Sequence, residues 1–160
     1  MKMVKNNKEI EIMKISGKIA SHALKKVLEN IKPGARCIDF DAIAPDQIES
    51  YGASPSFMTV DDYKWTICTT VNDQVVHGIP NGRKLTDGDI LGVDIGALYK
   101  GYHSDVAISV PVGKVSASDQ KFLDVGKKTL KEAIAKEIAA IKPVTNTNIA
   151  TRVSIKLWLD

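Results

Sequence analysis

Residues 89–97, DILGVDIGA, and 102–110, YHSDVAISV, alternate apolar with small or polar side chains on either side of a short linker. A period of two over that length is the signature of strands with one buried face, and the spacing predicts an antiparallel hairpin. The first strand puts Leu91, Val93 and Ile95 on one face and Ile90, Gly92, Asp94 and Gly96 on the other. The second puts Val106, Ile108 and Val110 against His103, Asp105, Ala107 and Ser109. A slip of one residue would turn every side chain over, so the apolar faces must lie on the same side. Even-numbered residues of the first strand therefore face odd-numbered residues of the second. A two-residue turn at Tyr99-Lys100 predicts Val93 opposite Val106, Leu91 opposite Ile108 and Asp94 directly opposite Asp105, with Cβ atoms about 5 Å apart. A bulge at Gly101 would shift that count.

Two opposed carboxylates repel unless they lie in open water, share a proton, or hold a cation between them. Gly92, Gly96 and Ala107 on the same face leave room for an ion, which favours a divalent metal site over an exposed acidic edge or a turn-stabilising pair. His77 closes the run Gln74 to His77, read as strand, ahead of the Pro80-Asn81-Gly82 turn. Alone, a histidine in that place is more often a structural hydrogen bonder than a catalyst. His103 shares the face of Asp105 and could bind an ion or support a group that does.

The rest of the chain supplies layers for this sheet. Ile10, Met13, Ala20, Leu24, Val27, Leu28 and Ile31 recur at helical spacing, with Asn6 or Asn7 as cap and Lys32-Pro33-Gly34 as stop. A second helix is expected over Asp39 to Ser50, its regularity doubtful at Pro45. The segment 51–56 reads as loop, and Phe57 to Val112 as strand-like, including Trp65 to Val71. A third helix runs from a Ser118 cap to Ile141, with Leu123, Leu130, Ile134, Ile138 and Ile141 on one face. Ile141-Lys142-Pro143 repeats Ile31-Lys32-Pro33 at the end of a helix, and Ile149-Ala150 repeats Ile43-Ala44. The chain thus reads as a single domain over 1–160, with a first pseudo-repeat over 1–112 and the start of a second over 118–160, cut off before its sheet. The closing VSIKLWLD alternates like a strand.

Composition excludes several classes. The 160 residues carry 22 basic and 19 acidic side chains, a net +3, with no dense basic stripe, so no nucleic-acid partner is expected. Cys37 and Cys68 make neither a disulfide framework nor a zinc ribbon and suit a reducing cytoplasm. The N-terminus lacks the apolar core of a signal peptide, and no run approaches the ~20 apolar residues that span a bilayer.

VNDQVVHGIP (71–80), GDILGVDIGALYKGYHSD (88–105) and the IKPG break (31–34) together resemble the type I methionine aminopeptidases, of the pita-bread metallopeptidases, from about Glu9 to about Ile149. The resemblance implies an α+β fold with an antiparallel sheet and helices packed on one face. It implies hydrolytic removal of the initiator methionine ahead of a small second residue, with two divalent ions (cobalt, manganese, iron or zinc). In its pattern Asp94 chelates one ion and Asp105 bridges both, while His77 hydrogen-bonds the substrate near the scissile bond. His103 is no direct ligand there; Cys68 lines the methionine pocket, and Tyr63 less surely so. The implied partners are nascent peptide N-termini and the ribosome, in the cytoplasm.

One histidine and two glutamates that complete the family's ligand set have no counterpart: no HGIG-like histidine follows Asp105, and Glu132 and Glu137 fall in the third helix. The expectation is an N-terminal portion of the enzyme, holding one ion weakly and inactive alone, with an open sheet edge prone to self-association. Its rivals are a proline-directed aminopeptidase of the same fold, which would need a further N-terminal domain, and a non-catalytic module that binds a protein partner or the ribosome.

Overall fold

The computed structural model describes residues 4–140. In order, these form α1 (Asn7–Leu28), α2 (Cys37–Glu49), β1 (Ser54–Pro55), a 3-10 turn at Phe57–Thr59, β2 (Ile67–Val71), β3 (Ile90–Tyr99), β4 (Tyr102–Pro111) and α3 (Ala117–Ala140). Strand β3 is the middle of the sheet. β1 and β2 pair along one of its sides and β4 along the other, all antiparallel.

Asn6 caps α1: its side chain accepts from Glu9 N at 3.0 Å, and the Glu9 carboxylate accepts from Asn6 N at 2.6 Å. The helix ends at Leu28, short of Ile31, because Asn30 and Ile31 bond back three residues in a tightened turn. Helix α2 starts before Asp39, whose carboxylate takes the Arg36 guanidinium at 2.6 Å and the Arg36 backbone N–H at 3.3 Å. It runs through Pro45 unbroken. The proline deprives only the Asp41 carbonyl of a partner, while the Asp41 side chain accepts from Thr66 N (2.7 Å) and Ile67 N (3.1 Å) and ties α2 to the start of β2.

Both helices cover the face bearing Ile67, Thr69, Val71, Leu91, Val93, Ile95 and Ala97, against Ile19, Ala23, Val27, Phe40, Ala44 and Ile48. Phe40, Ile48, Ile67, Leu91 and Ile95 are almost wholly buried, each worth about 1.5–3 kcal/mol on removal from water. Ser16 is the polar exception on α1. Fully buried, it donates its one hydroxyl proton among the Ala97 carbonyl (2.9 Å), the Tyr102 carbonyl (3.0 Å) and Ser104 Oγ (3.0 Å), clasping the helix to the tip of the hairpin.

Four expectations change. The run 74–77 is irregular loop following a turn at 72–73, not strand; it swings back so that the Gly78 carbonyl accepts from Thr69 N at 2.8 Å. Phe57–Thr59 is 3-10 helix, not strand. Ser116 rather than Ser118 caps α3, accepting from Asp119 N at 3.1 Å. Of the apolar face expected on α3, Leu123 is buried but Leu130 is half exposed, and Phe122 and Val125 are exposed beside it. Ile141, the second Ile-Lys-Pro and the closing VSIKLWLD lie outside the described residues, as does all of the second pseudo-repeat beyond residue 140.

Replacing Ser16 with alanine should cost about 1–3 kcal/mol, since buried carbonyls lose their donor; urea unfolding of the two proteins measures it.

Candidate metal and substrate site

The face of the sheet away from the helices carries Cys68 and Thr70 from β2, Gly92, Asp94, Gly96 and Leu98 from β3, and His103, Asp105, Ala107 and Ser109 from β4. The two aspartates project from the same face, as the alternation requires. They are not directly opposed: Asp94 faces Ala107 and Asp105 faces Gly96, with Val93 against Ile108 and Leu91 against Val110. The turn explains the shift. Its central residues are Lys100 (φ 49°) and Gly101 (φ 82°), both in the left-handed region that a two-residue hairpin of this hand demands. The Gly101 backbone suits that place, so the loop moves one residue along and the register by two. Parity survives, and the carboxylates become diagonal neighbours within hydrogen-bonding reach.

Their chemistry is that of a pair in conflict. Burial pushes the Asp94 carboxyl up to about 7, Asp105 adds to the rise through a shared hydrogen bond and its charge, and the Ile95 N–H opposes it. Asp94 Oδ1 is buried with no hydrogen-bond partner. An inaccessible, unpaired carboxylate oxygen beside a second carboxylate fits a hard divalent cation. Among the described residues no group of three or more His, Cys, Asp or Glu side chains converges to hold a metal; what they bring together here is two carboxylates.

Two clefts meet at this pair. The larger, about 560 Å³, is lined by Ser56, Phe57, Thr59, Val60, Tyr63, His103 and Asp105; the smaller, about 270 Å³, by Thr70, Val75, Val76, Gly92, Ala107 and Ser109; Cys68, His77 and Asp94 line both. The room expected above the small residues is only partly there. A Cβ at Gly96 would stand 2.8 Å from Ser56 Cβ and 3.0 Å from the Phe57 ring, and one at Gly92 would strike the Thr70 hydroxyl. Gly96 admits the Ser104 carbonyl, which a Cβ would approach to 2.6 Å, as well as the Ser56-Phe57 wall, a close approach that a lone glycine inside a strand can signal.

His77, Cys68 and Tyr63 all reach the clefts. His77 is exposed with φ 53°, and Gly78 beside it lies so close to β2 that a Cβ would collide with the Thr69 carbonyl. The left-handed turn and the pressed glycine aim the imidazole along the junction. The Tyr63 hydroxyl donates to the Ile67 carbonyl at 2.9 Å and lies 3.0 Å from Cys68 Sγ, with its ring edge-on to Trp65. Burial raises the Tyr63 phenol above its ordinary range, and burial also raises the Cys68 thiol, with Asp94, Asp105 and Asp41 adding to it. Both shifts favour the neutral forms of the two side chains. His103 Nδ1 lies 2.7 Å from Ser56 Oγ.

The pH dependence follows in sign. Without added metal the native state holds the Asp94 proton more tightly than the unfolded chain, so the stability it lends is present below 3.8 and is lost as pH rises to about 7. Asp94→Asn cannot lose a proton. Its stability relative to the parent, read from urea midpoints in chelator, should climb across that window and level off above it; a flat difference would contradict the shared-proton geometry.

The family model described as metallopeptidase family M24 matches residues 11–153. A methionine aminopeptidase of Bacillus subtilis is 41% identical over 130 residues, covering 81% of this chain and 52% of that protein. The crystal structure of a methionine aminopeptidase from Thermotoga maritima superposes with a TM-score of 0.80 at 34% identity, over 84% of this chain and 54% of that one. A prolidase from Pyrococcus furiosus (TM-score 0.73, 24% identity, 82% of this chain and 38% of that one) shares the fold alone. The chain spans about half the length of the methionine aminopeptidases it matches.

Proposed function

The chain belongs to metallopeptidase family M24, with its pita-bread fold, and from that premise we propose that it is the part of a methionine aminopeptidase that supplies Asp94, Asp105, His77 and the methionine pocket. The observation that carries the reading is the diagonal Asp94–Asp105 pair with its buried, unpartnered oxygen at the meeting of two clefts. The substrate class comes from the relatives, the protein from Bacillus subtilis first among them.

Asp94 and Asp105 would hold a divalent cation, which supplies Lewis acidity toward water and toward the scissile carbonyl when bound. The larger, more apolar cleft takes the first side chain between Phe57, Val60 and Tyr63. Cys68 and Tyr63, neutral and hydrogen-bonded to one another, offer that side chain an uncharged wall. The rest of the peptide continues past His77 into the smaller cleft, where the imidazole is placed to hydrogen-bond the backbone near the bond to be cut. The proposed setting is the cytoplasm, with nascent peptide N-termini as substrates. Among the described residues no helix is long and apolar enough to cross a membrane.

A non-catalytic module binding a protein partner or the ribosome is the second reading. It gives no reason to keep two carboxylates in mutual conflict on a half-buried face.

Two carboxylates make a weak site. The polypeptide 1–160 by itself should bind one manganese ion with a Kd on the order of 10⁻⁴–10⁻³ M, and lose that binding in both Asp94→Asn and Asp105→Asn. It should release no methionine from methionyl peptides above background. Calorimetry and a coupled peptidase assay are the measurements. Absent manganese binding favours the second reading, and robust turnover would show that two aspartates suffice.

A further inference from the structure

We propose that His103 is a positioning residue for the side-chain pocket: its hydrogen bond to Ser56 pins the wall of Phe57, Thr59 and Val60 against the strands that carry Asp94 and Asp105. The inference deepens the methionyl-peptide reading and rests on it for the identity of the side chain received.

Ser56 is the node of that wall. Its N–H donates to the Gly96 carbonyl at 3.0 Å, its carbonyl accepts from Thr59 N (3.1 Å) and Thr59 Oγ1 (2.7 Å), and its hydroxyl meets His103 Nδ1 at 2.7 Å. Strand β1, which precedes it, is only two residues long. Among the described residues the Ser56–His103 bond is the one side-chain hydrogen bond between 54–60 and the β3–β4 hairpin. The wall also stands where small movements matter. Gly96 faces Asp105 in the register, and its missing Cβ is what lets Ser56 and Phe57 approach. Ser56 is buried at 7% exposure whereas His103 is exposed. The histidine therefore adds little to the core, and its structural work is concentrated in this bond. A pocket closed by a short 3-10 turn selects among side chains only while that turn is held, because an unheld wall spends binding free energy on its own ordering.

The test uses the 160-residue chain and two readouts besides turnover. Amide exchange of residues 57–60, followed by mass spectrometry, should quicken about fivefold to tenfold in His103→Leu and in Ser56→Ala, the factor expected for one lost hydrogen bond. The double variant should be no faster than either alone. Exchange in α1 and β3 should stay as in the parent. His103→Asn, whose amide can take the place of Nδ1, should keep the parent rate. Ligand-observed NMR should show L-methioninamide preferred over L-valinamide by the parent and by His103→Asn, with the preference diminished in His103→Leu and Ser56→Ala. Unchanged exchange at 57–60 in both variants overturns the inference, as does a preference that survives the loosened wall. A parent chain with no preference, whose wall nevertheless loosens as expected, supports the latch and overturns the methionyl reading instead.

Discussion

Strand β3 is asked to serve two incompatible environments at once, and its pleat is what makes that possible. Leu91, Val93, Ile95 and Ala97 are sealed under α1 and α2, while the residues between them lie on the other face, where Asp94 lines both clefts and Gly92 and Gly96 admit close neighbours. Neighbours on both sides enforce the division: Cys68 and Ala107 flank Asp94, while Thr69 and Ile108 flank Val93. Moving the strand by one residue would bury a carboxylate and expose a valine. The apolar face thus acts as the clamp that aims the aspartates, and the core and the site are one construction.

That construction carries an internal cost. Asp94 is raised to about 7 because burial and Asp105 both disfavour its charge, whereas Asp89, at the start of the same hairpin, lies below the ordinary range because Thr86 and Asn72 donate to it. The two residues share a type and a neighbourhood and differ in their partners. Asp89 is there to fix the loop, and Asp94 keeps a buried oxygen without a hydrogen-bond partner. Local destabilisation of this kind is what a site built for a ligand shows when its own groups must face one another.

Face membership could be read from the residues because alternation is a property of the chain. So could the presence of the helices, though not their exact ends, and the grouping of Asp94 with Asp105. Register could not be read in the same way: it depended on which pair of residues, Tyr99-Lys100 or Lys100-Gly101, took positive φ, a choice between neighbours that hydrophobic pattern does not see. The loop at 74–77 was hidden for a related reason. Val75 and Val76 look like strand, yet both are exposed, and it is the backbone bond from Thr69 to Gly78 that places them. The wall at Ser56 and Phe57 carried no periodic signal; only Gly96, an unexplained gap in a strand, pointed to it. Pro45 misled in the other direction, since a helix docked on a core tolerates one missing hydrogen bond. The site residues taken from family likeness reached the clefts together, though nothing in their spacing alone brought His77 beside Cys68.

Gly78 shows how far from the chemistry a loss of function can begin. It carries no side chain, yet its contact with Thr69 fixes the backbone next to His77. Random mutagenesis would score such a position alongside the aspartates, and a map of intolerant sites would mark it as a reactive centre. The right interpretation of that mark would be mechanical: the glycine is a pin for the backbone, and the residue it steadies is the one proposed to meet the substrate.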